Sequence, residues 1–437
     1  MGKKIAVGIL LTGILVIIAA VALRAGGKFL ARPETISEGG QEPVVQERQE
    51  EESVVQEEET IVQESEPVAA EPEKSEEELL QEQIEATLAN MTLEEKVAQL
   101  FVVTPEALTG YETVTAAGDA TREAIQAYPV GGLIYFQKNL QSPEQVKEML
   151  ANTRLYYKEA GCPAPFLSVD EEGGSVSRIA KQSAFGAERM PDMRVIGENG
   201  NLKEANRVGT VIGSYLSELG FNLDFAPVAD VLTNSENEVV KKRSFGSDPE
   251  LVAEMSMAVA WGLESQGVYA SLKHYPGHGA TKSDSHKGYA YTDKTLEELL
   301  DAELIPFQKG IEEGIQFIMV AHICVPTITE ESIPCSLSKQ MITEVLREQL
   351  GYEGIVITDA LNMGAISQEY SAQEASKKAL EAGVDLLLMP ADFTSAYEGI
   401  LTAVESGEIT EERIDASVRR ILRAKYNKSF FPSHPIG

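Results

Sequence analysis

One stretch concentrates the chemistry of this chain. Lys273 to His286 reads KHYPGHGATKSDSH and carries three of the five histidines, with Asp284 two residues before His286. A lysine ammonium supplies charge and hydrogen-bond donors. Imidazole titrates near ~6.5, so it can give a proton and take it back around neutral pH. His274, His278, Asp284 and His286 could also ligate a metal. Their spacing does not match HExxH, and Pro276 with Gly277 keeps His274 and His278 off one helix face. We therefore expect no metal and no cofactor.

Polar residues recur in the same way after other apolar runs. Asp170-Glu171-Glu172-Gly173-Gly174 follows Phe166–Val169, with Arg178 close behind. Asp230 and a loop reaching Arg243 follow Asn222–Phe225. Lys273 and His274 follow Ala270–Leu272, His322 ends Phe317–Ala321, and Asp359 follows Ile355–Thr358. A lone aspartate after a strand is usually a turn former or helix cap. Five polar strand ends in succession are poorly explained that way.

The elements that would position them alternate regularly. Eight apolar runs have strand length: the five above, Leu100–Val103, Gly132–Phe136 and Asp385–Met389. Between them lie helical patterns such as Pro143–Lys158, Glu204–Glu218, Pro249–Gly267, Leu296–Glu313 and Lys339–Leu350. Near-continuous apolar strands joined by helical crossovers imply a parallel sheet covered by helices. The expected fold class is α/β, a (β/α)8 TIM-type barrel over residues 79–430 with a short tail at 431–437, its polar strand ends gathered on one face. An open doubly wound sheet is the alternative, but no GxGxxG or GxxxxGK[ST] follows any run.

The chain begins differently. Ile5 to Leu23 is nineteen residues without a charge, behind Lys3 and Lys4. At ~1.5 Å per residue it just spans a ~30 Å hydrocarbon core. Residues 1–30 are expected to be a membrane anchor or a cleaved signal peptide, which places the rest at the outer face of the membrane or secretes it. Residues 31–78 read as a disordered acidic linker. From residue 34 to 78 there are seventeen glutamates against Arg48 and Lys74, and no aromatic residue. The net charge of −32 does not suit nucleic-acid binding. Cys162, Cys324 and Cys335 form no close-spaced framework. The oligomeric state is not legible.

KHYPGHGATKSDSH resembles the signature of the NagZ-like β-N-acetylglucosaminidases of glycoside hydrolase family 3. DEEGGSVSR, RSFGSDP and ITDALNM resemble that family's other motifs, in the same order, and the likeness covers roughly residues 85–427. It implies retaining double displacement. Asp359 matches the nucleophile and His286 the acid/base, oriented by Asp284. Asp170, Arg178, Arg243, Lys273 and His274 are assigned to the non-reducing GlcNAc, with His322 and Asp230 as further neighbours and His278 as a turn support. The loop Gly277–Tyr291 is expected to move and bring His286 over the glycosidic oxygen.

A tethered enzyme outside the membrane would meet wall-derived glycans. Peptidoglycan fragments with terminal β-GlcNAc are therefore the first expected substrate and chitooligosaccharides the second. Because histidine need not repel an incoming phosphate, phosphorolysis stays open beside hydrolysis. A non-catalytic wall-binding barrel is the remaining alternative.

Overall fold

The computed structural model describes residues 74–283, 288–329 and 333–427. The apolar segment Ile5–Leu23, nearly all of the acidic linker, the tail, Asp284 and His286 lie outside the described residues. Among the described residues no helix is long and apolar enough to cross a membrane.

Helical structure begins inside the stretch read as linker. A helix spans Glu76–Asn90, opened by a capping box in which Glu78 N–H donates to Ser75 Oγ and Ser75 N–H donates to Glu78 Oε2. Glu76, Glu77 and Glu78 lie in its first turn, where the helix dipole favours negative charge. Composition alone reads these glutamates as spacer. Tertiary contact keeps them in a helix: Ile84 and Leu88 are buried, and Arg419 and Arg423 of the last helix, Glu411–Tyr426, pair with Glu85 and Glu77.

The strands are β1 (Phe101–Val103), β2 (Gly132–Ile134), β3 (Phe166–Val169), β4 (Leu223–Asp224), β5 (Tyr269–Tyr275), β6 (Lys282–Ser283), β7 (Ala290–Tyr291), β8 (Phe317–Val320), β9 (Ile323–Cys324), β10 (Ile355–Thr358) and β11 (Leu387–Leu388). Eight of them form one parallel sheet in the order β10-β8-β5-β4-β3-β2-β1-β11. A parallel bridge between Ile357 and Leu386 brings its two edges together, so the expected barrel is present and nearly closed. Neighbour follows neighbour with no reversal of strand order, which excludes the doubly wound alternative.

All eight apolar runs became barrel strands. β1, β2, β3, β8 and β10 are buried along their whole length, as strands covered on both faces must be. At the amino-terminal end of the barrel the Phe166 and Phe317 rings meet edge to face at 5.2 Å. The helical pattern from Leu296 to Glu313 is two helices, Leu296–Leu300 and Ile305–Glu312. Pro306 has no N–H to continue the ladder. The turn between the helices aims Glu303 inward, where Lys294 Nζ reaches both its oxygens at 2.6 and 2.7 Å.

A second, three-stranded sheet sits at the active face. β6 pairs antiparallel with β7, and β7 pairs parallel with β9, directly after His322. It holds both arms of the loop that follows β5.

Candidate active site

The carboxyl ends of β3, β5 and β10, with the loop after β4, deliver Asp170, Glu172, Arg178, Arg243, Lys273, His274 and Asp359 to one cavity of about 290 Å³. Lys273 and His274 are consecutive residues of β5, yet both line it. The register between β5 and β8 shifts between Leu272 and Tyr275, and such an irregularity breaks strict alternation of side chains.

An ionic lattice forms the floor. Glu172, 4% exposed, accepts two hydrogen bonds from Arg243, from Nε at 2.8 Å and Nη2 at 2.7 Å. Lys273 Nζ lies 2.7 Å from Glu172 Oε1 and 3.0 Å from Asp170 Oδ1. Burial pushes the Glu172 carboxyl up, but Lys273 and Arg243 pull harder, and it settles at about 2. The same carboxylates raise Lys273 and Arg243 against the opposing effect of burial. All three groups therefore stay charged at neutral pH. Arg178 lies across the cavity with Nη2 3.5 Å from Asp170 Oδ2 and its guanidinium 5.5 Å from the Phe136 ring centre. Its Nε is buried without a hydrogen-bond partner among the described residues, a donor that a ligand hydroxyl or carbonyl would satisfy.

Asp230 has a different role from the one its sequence position implied. It is fully buried and does not line the cavity. Its Oδ2 lies 2.7 Å from His274 Nδ1, while Oδ1 accepts the backbone N–H groups of His274 and His278. Arg243 Nη2, which can only donate, lies 3.3 Å from His274 Nε2. The ring proton therefore belongs on Nδ1, facing Asp230. Burial opposes the Asp230 charge, but His274 and His278 hold its carboxyl below the usual range. Asp230 is thus a positioning residue rather than a sugar contact.

The glycines after His274 serve this turn. Gly277 has φ +128°, and a Cβ there would lie 2.7 Å from the Glu303 side chain. A Cβ on Gly279 would lie 2.0 Å from the Val231 carbonyl oxygen. His278 Nδ1 sits 3.0 Å from Thr281 Oγ1, which agrees with its reading as a turn support.

Asp359 is half-buried at the end of β10. Its N–H donates to Val320 O at 2.9 Å, which fixes the strand end, and Oδ1 accepts the Ala360 N–H at 2.7 Å. Burial raises its carboxyl, but His322, His274, the Ala360 N–H and Lys273 together bring it below the ordinary value. It is a carboxylate at neutral pH. His322 acts from behind. Its Nε2 lies 3.0 Å from Ala360 O, a bond only an N–H can make, and Nδ1 lies 2.7 Å from Ser336 Oγ. Burial depresses His322, while the neighbouring Asp359 carboxylate opposes that shift.

A second cavity of about 930 Å³ adjoins the first and is lined by Asn234, Glu236–Val239, His278, Lys282, Gly288–Tyr291, His322 and Met363 among others. Asp284 and His286, expected to orient and transfer the proton, lie outside the described residues. The loop that carries them has pinned arms. Asn234 Nδ2 donates to Thr281 O at 2.8 Å, Asn237 Nδ2 donates to His278 O at 2.8 Å, and β7 pairs with β9.

Glu172 is the functional residue that the sequence reading passed over. A signal was present: Glu172 is two positions after Asp170, and alternate residues of an extended chain share a face.

Fold and site together define a parallel α/β barrel with a charged pocket at the carboxyl ends of its strands. More narrowly, the chain belongs to glycoside hydrolase family 3, matching the Glycosyl hydrolase family 3 N terminal domain over residues 92–424. It is 32% identical over 325 residues to Beta-hexosaminidase A of Pseudoalteromonas piscicida, covering 69% of this chain and 54% of that protein. It is 35% identical over 286 residues to the Beta-hexosaminidase of Chromobacterium violaceum, covering 63% and 77%. The solved glycoside hydrolase family 3 beta-N-acetylglucosaminidase from Paenibacillus sp. superimposes with a TM-score of 0.71 at 37% identity, covering 77% of this chain and 63% of that one. The chain thus spans little more than half of the first relative and less than two thirds of the solved structure.

Proposed function

We propose that this protein is a retaining exo-β-N-acetylglucosaminidase that removes terminal β-GlcNAc from peptidoglycan fragments or chitooligosaccharides. The observation that carries the reading is the meeting of the two cavities at Asp359. A sugar in the smaller cavity presents its anomeric carbon to Asp359, while the rest of the glycan leaves through the larger one. Asp359 attacks and forms the glycosyl-enzyme, and His286, oriented by Asp284, protonates the leaving oxygen and then activates water. In support, Lys282 and Gly288, on either side of that acid/base segment in the chain, both line the larger cavity. Asp170 accepts from sugar hydroxyls, and Arg178, Arg243, Lys273 and His274 hold the rest of the ring and its 2-acetamido group.

Hydrolysis is favoured over phosphorolysis by charge. Among the described residues Glu236 and Glu238 line the larger cavity beside Lys282, an excess of negative charge that disfavours an incoming phosphate. The apolar segment Ile5–Leu23 would anchor the enzyme at the outer face of the membrane or direct its secretion. Carbonate extraction of cell membranes separates an anchored protein from a released one.

The functional reading is tested by comparing p-nitrophenol release from the β-N-acetylglucosaminide and from the β-glucoside. Strong preference for the acetamido sugar is expected. Equal or reversed preference would remove the GlcNAc assignment. Failure to act on either compound or on muropeptides would remove the enzyme reading.

A further inference from the structure

Four residues line both cavities: Val239, His278, Asp359 and Met363. The scissile bond has to cross this boundary, so what stands there meets the sugars on both sides of it. Asp359 is the nucleophile of the proposed reaction, and His278 supports the turn. Val239 and Met363 have neither role. Both are aliphatic, and both are among the six large hydrophobic side chains most exposed among the described residues, at 54% and 44%. A single exposed valine or methionine needs no explanation. Two of them at the mouth of the nucleophile's cavity do.

Their backbones are fixed although their side chains are open. The Val239 and Val240 N–H groups donate to Asn237 Oδ1 at 3.0 and 3.1 Å. Asn237, 5% exposed, is tied in turn to the His278–Thr281 turn through Nδ2. The Met363 N–H donates to Ala360 O at 3.0 Å, and its carbonyl accepts from Ile366 and Ser367 at the start of the helix Gly364–Ser367. Ordered backbone spares the cost of fixing the main chain when a ligand covers the two side chains, and valine has little side-chain freedom to lose. The polar lattice of Asp170, Glu172, Lys273 and Arg243 lies wholly on the smaller cavity's side.

We propose that Val239 and Met363 form an aliphatic clamp on the C–H faces of the sugar next beyond the glycosidic bond, and so select a carbohydrate leaving group. The clamp rests on the exo-glycosidase reading above. A sugar ring has apolar C–H faces and a hydroxylated rim. Covering two exposed aliphatic side chains with such a face removes apolar surface from water and leaves the rim to Asn234, Glu236 and Lys282.

The test compares two substrates that share GlcNAc in the smaller cavity. Chitobiose places a sugar in the clamp, whereas β-GlcNAc azide has a three-atom leaving group that does not fill it. Val239→Ser, Met363→Ser and the double variant are assayed with each. We expect kcat/KM for chitobiose to fall about tenfold further than for the azide in the double variant, a difference equivalent to ~1.4 kcal/mol. The loss should fall mainly on KM. Equal losses on both substrates, or none on either, would overturn the clamp and leave the glycosidase reading in place. A wild-type protein inactive on both substrates would overturn the glycosidase reading, and the clamp with it. Unchanged thermal unfolding of the variants separates these outcomes from misfolding.

Discussion

Replacing Glu172 with glutamine tests whether the pocket's charge lattice is what holds it in shape. The change keeps the side-chain shape and removes one charge between Lys273 and Arg243. Glu172 titrates at about 2 in the fold against 4.5 for the free carboxyl. At ~1.4 kcal/mol per unit, that difference corresponds to about 3 kcal/mol favouring the ionised form. Breaking a buried pair by removing one partner costs a similar ~3–5 kcal/mol. A depressed carboxylate contributes stability that is present above its unfolded pKa and lost as pH falls through its folded one. Glu172→Gln should therefore lose about 3 kcal/mol at pH 7, with the gap from wild type closing between pH 4.5 and about 2. Urea unfolding at pH 7 and at pH 3 reads this directly. Substrate KM should rise as well, because Lys273 and Arg243 lose the group that orients them. A variant as stable as wild type at pH 7, with unchanged KM, would refute the argument.

Other outcomes follow from the same geometry. Glu264 is 4% exposed, and burial pushes it to about 8, so it contributes stability below 4.5 that is lost as pH rises through 8. Glu264→Gln should stabilise the protein by roughly 3 kcal/mol near pH 7 and flatten the alkaline side of the unfolding profile. Asp359→Ala should remove turnover by at least ~10³-fold while the chain stays folded, and unchanged turnover would move the nucleophile elsewhere. Asp230→Asn should reduce kcat/KM, because the His274 Nδ1 proton loses its carboxylate partner, and a wild-type rate would show that the pair is dispensable. In phosphate buffer the released sugar should be GlcNAc, and GlcNAc 1-phosphate as the main product would reverse the preference for hydrolysis.

Much of the barrel was legible because its signals are local. Each strand is an apolar run buried on both faces, and each polar residue at its end interrupts that run. The positions of Asp170, Lys273, His274 and Asp359 follow from this pattern. The capping box Ser75–Glu78 was also present in the sequence, but the high local charge hid it. The broken helix at Pro306 had its cause in plain view, and the regular leucine spacing concealed it.

Partners distant in the sequence were not legible. Glu172 meets Arg243 across 71 positions, and Asp170 meets Lys273 across 103. No periodicity encodes those distances. The sequence by itself determined the fold class, the strand ends and the residue types gathered on the active face, because burial and hydrogen-bonding period act over a few residues. Only the tertiary structure decided that Asp230 orients His274, that Glu172 joins two cations, and that Val239 and Met363 stand where two cavities meet. Those are properties of closure, which places loops from different strands within hydrogen-bond and van der Waals reach of one another.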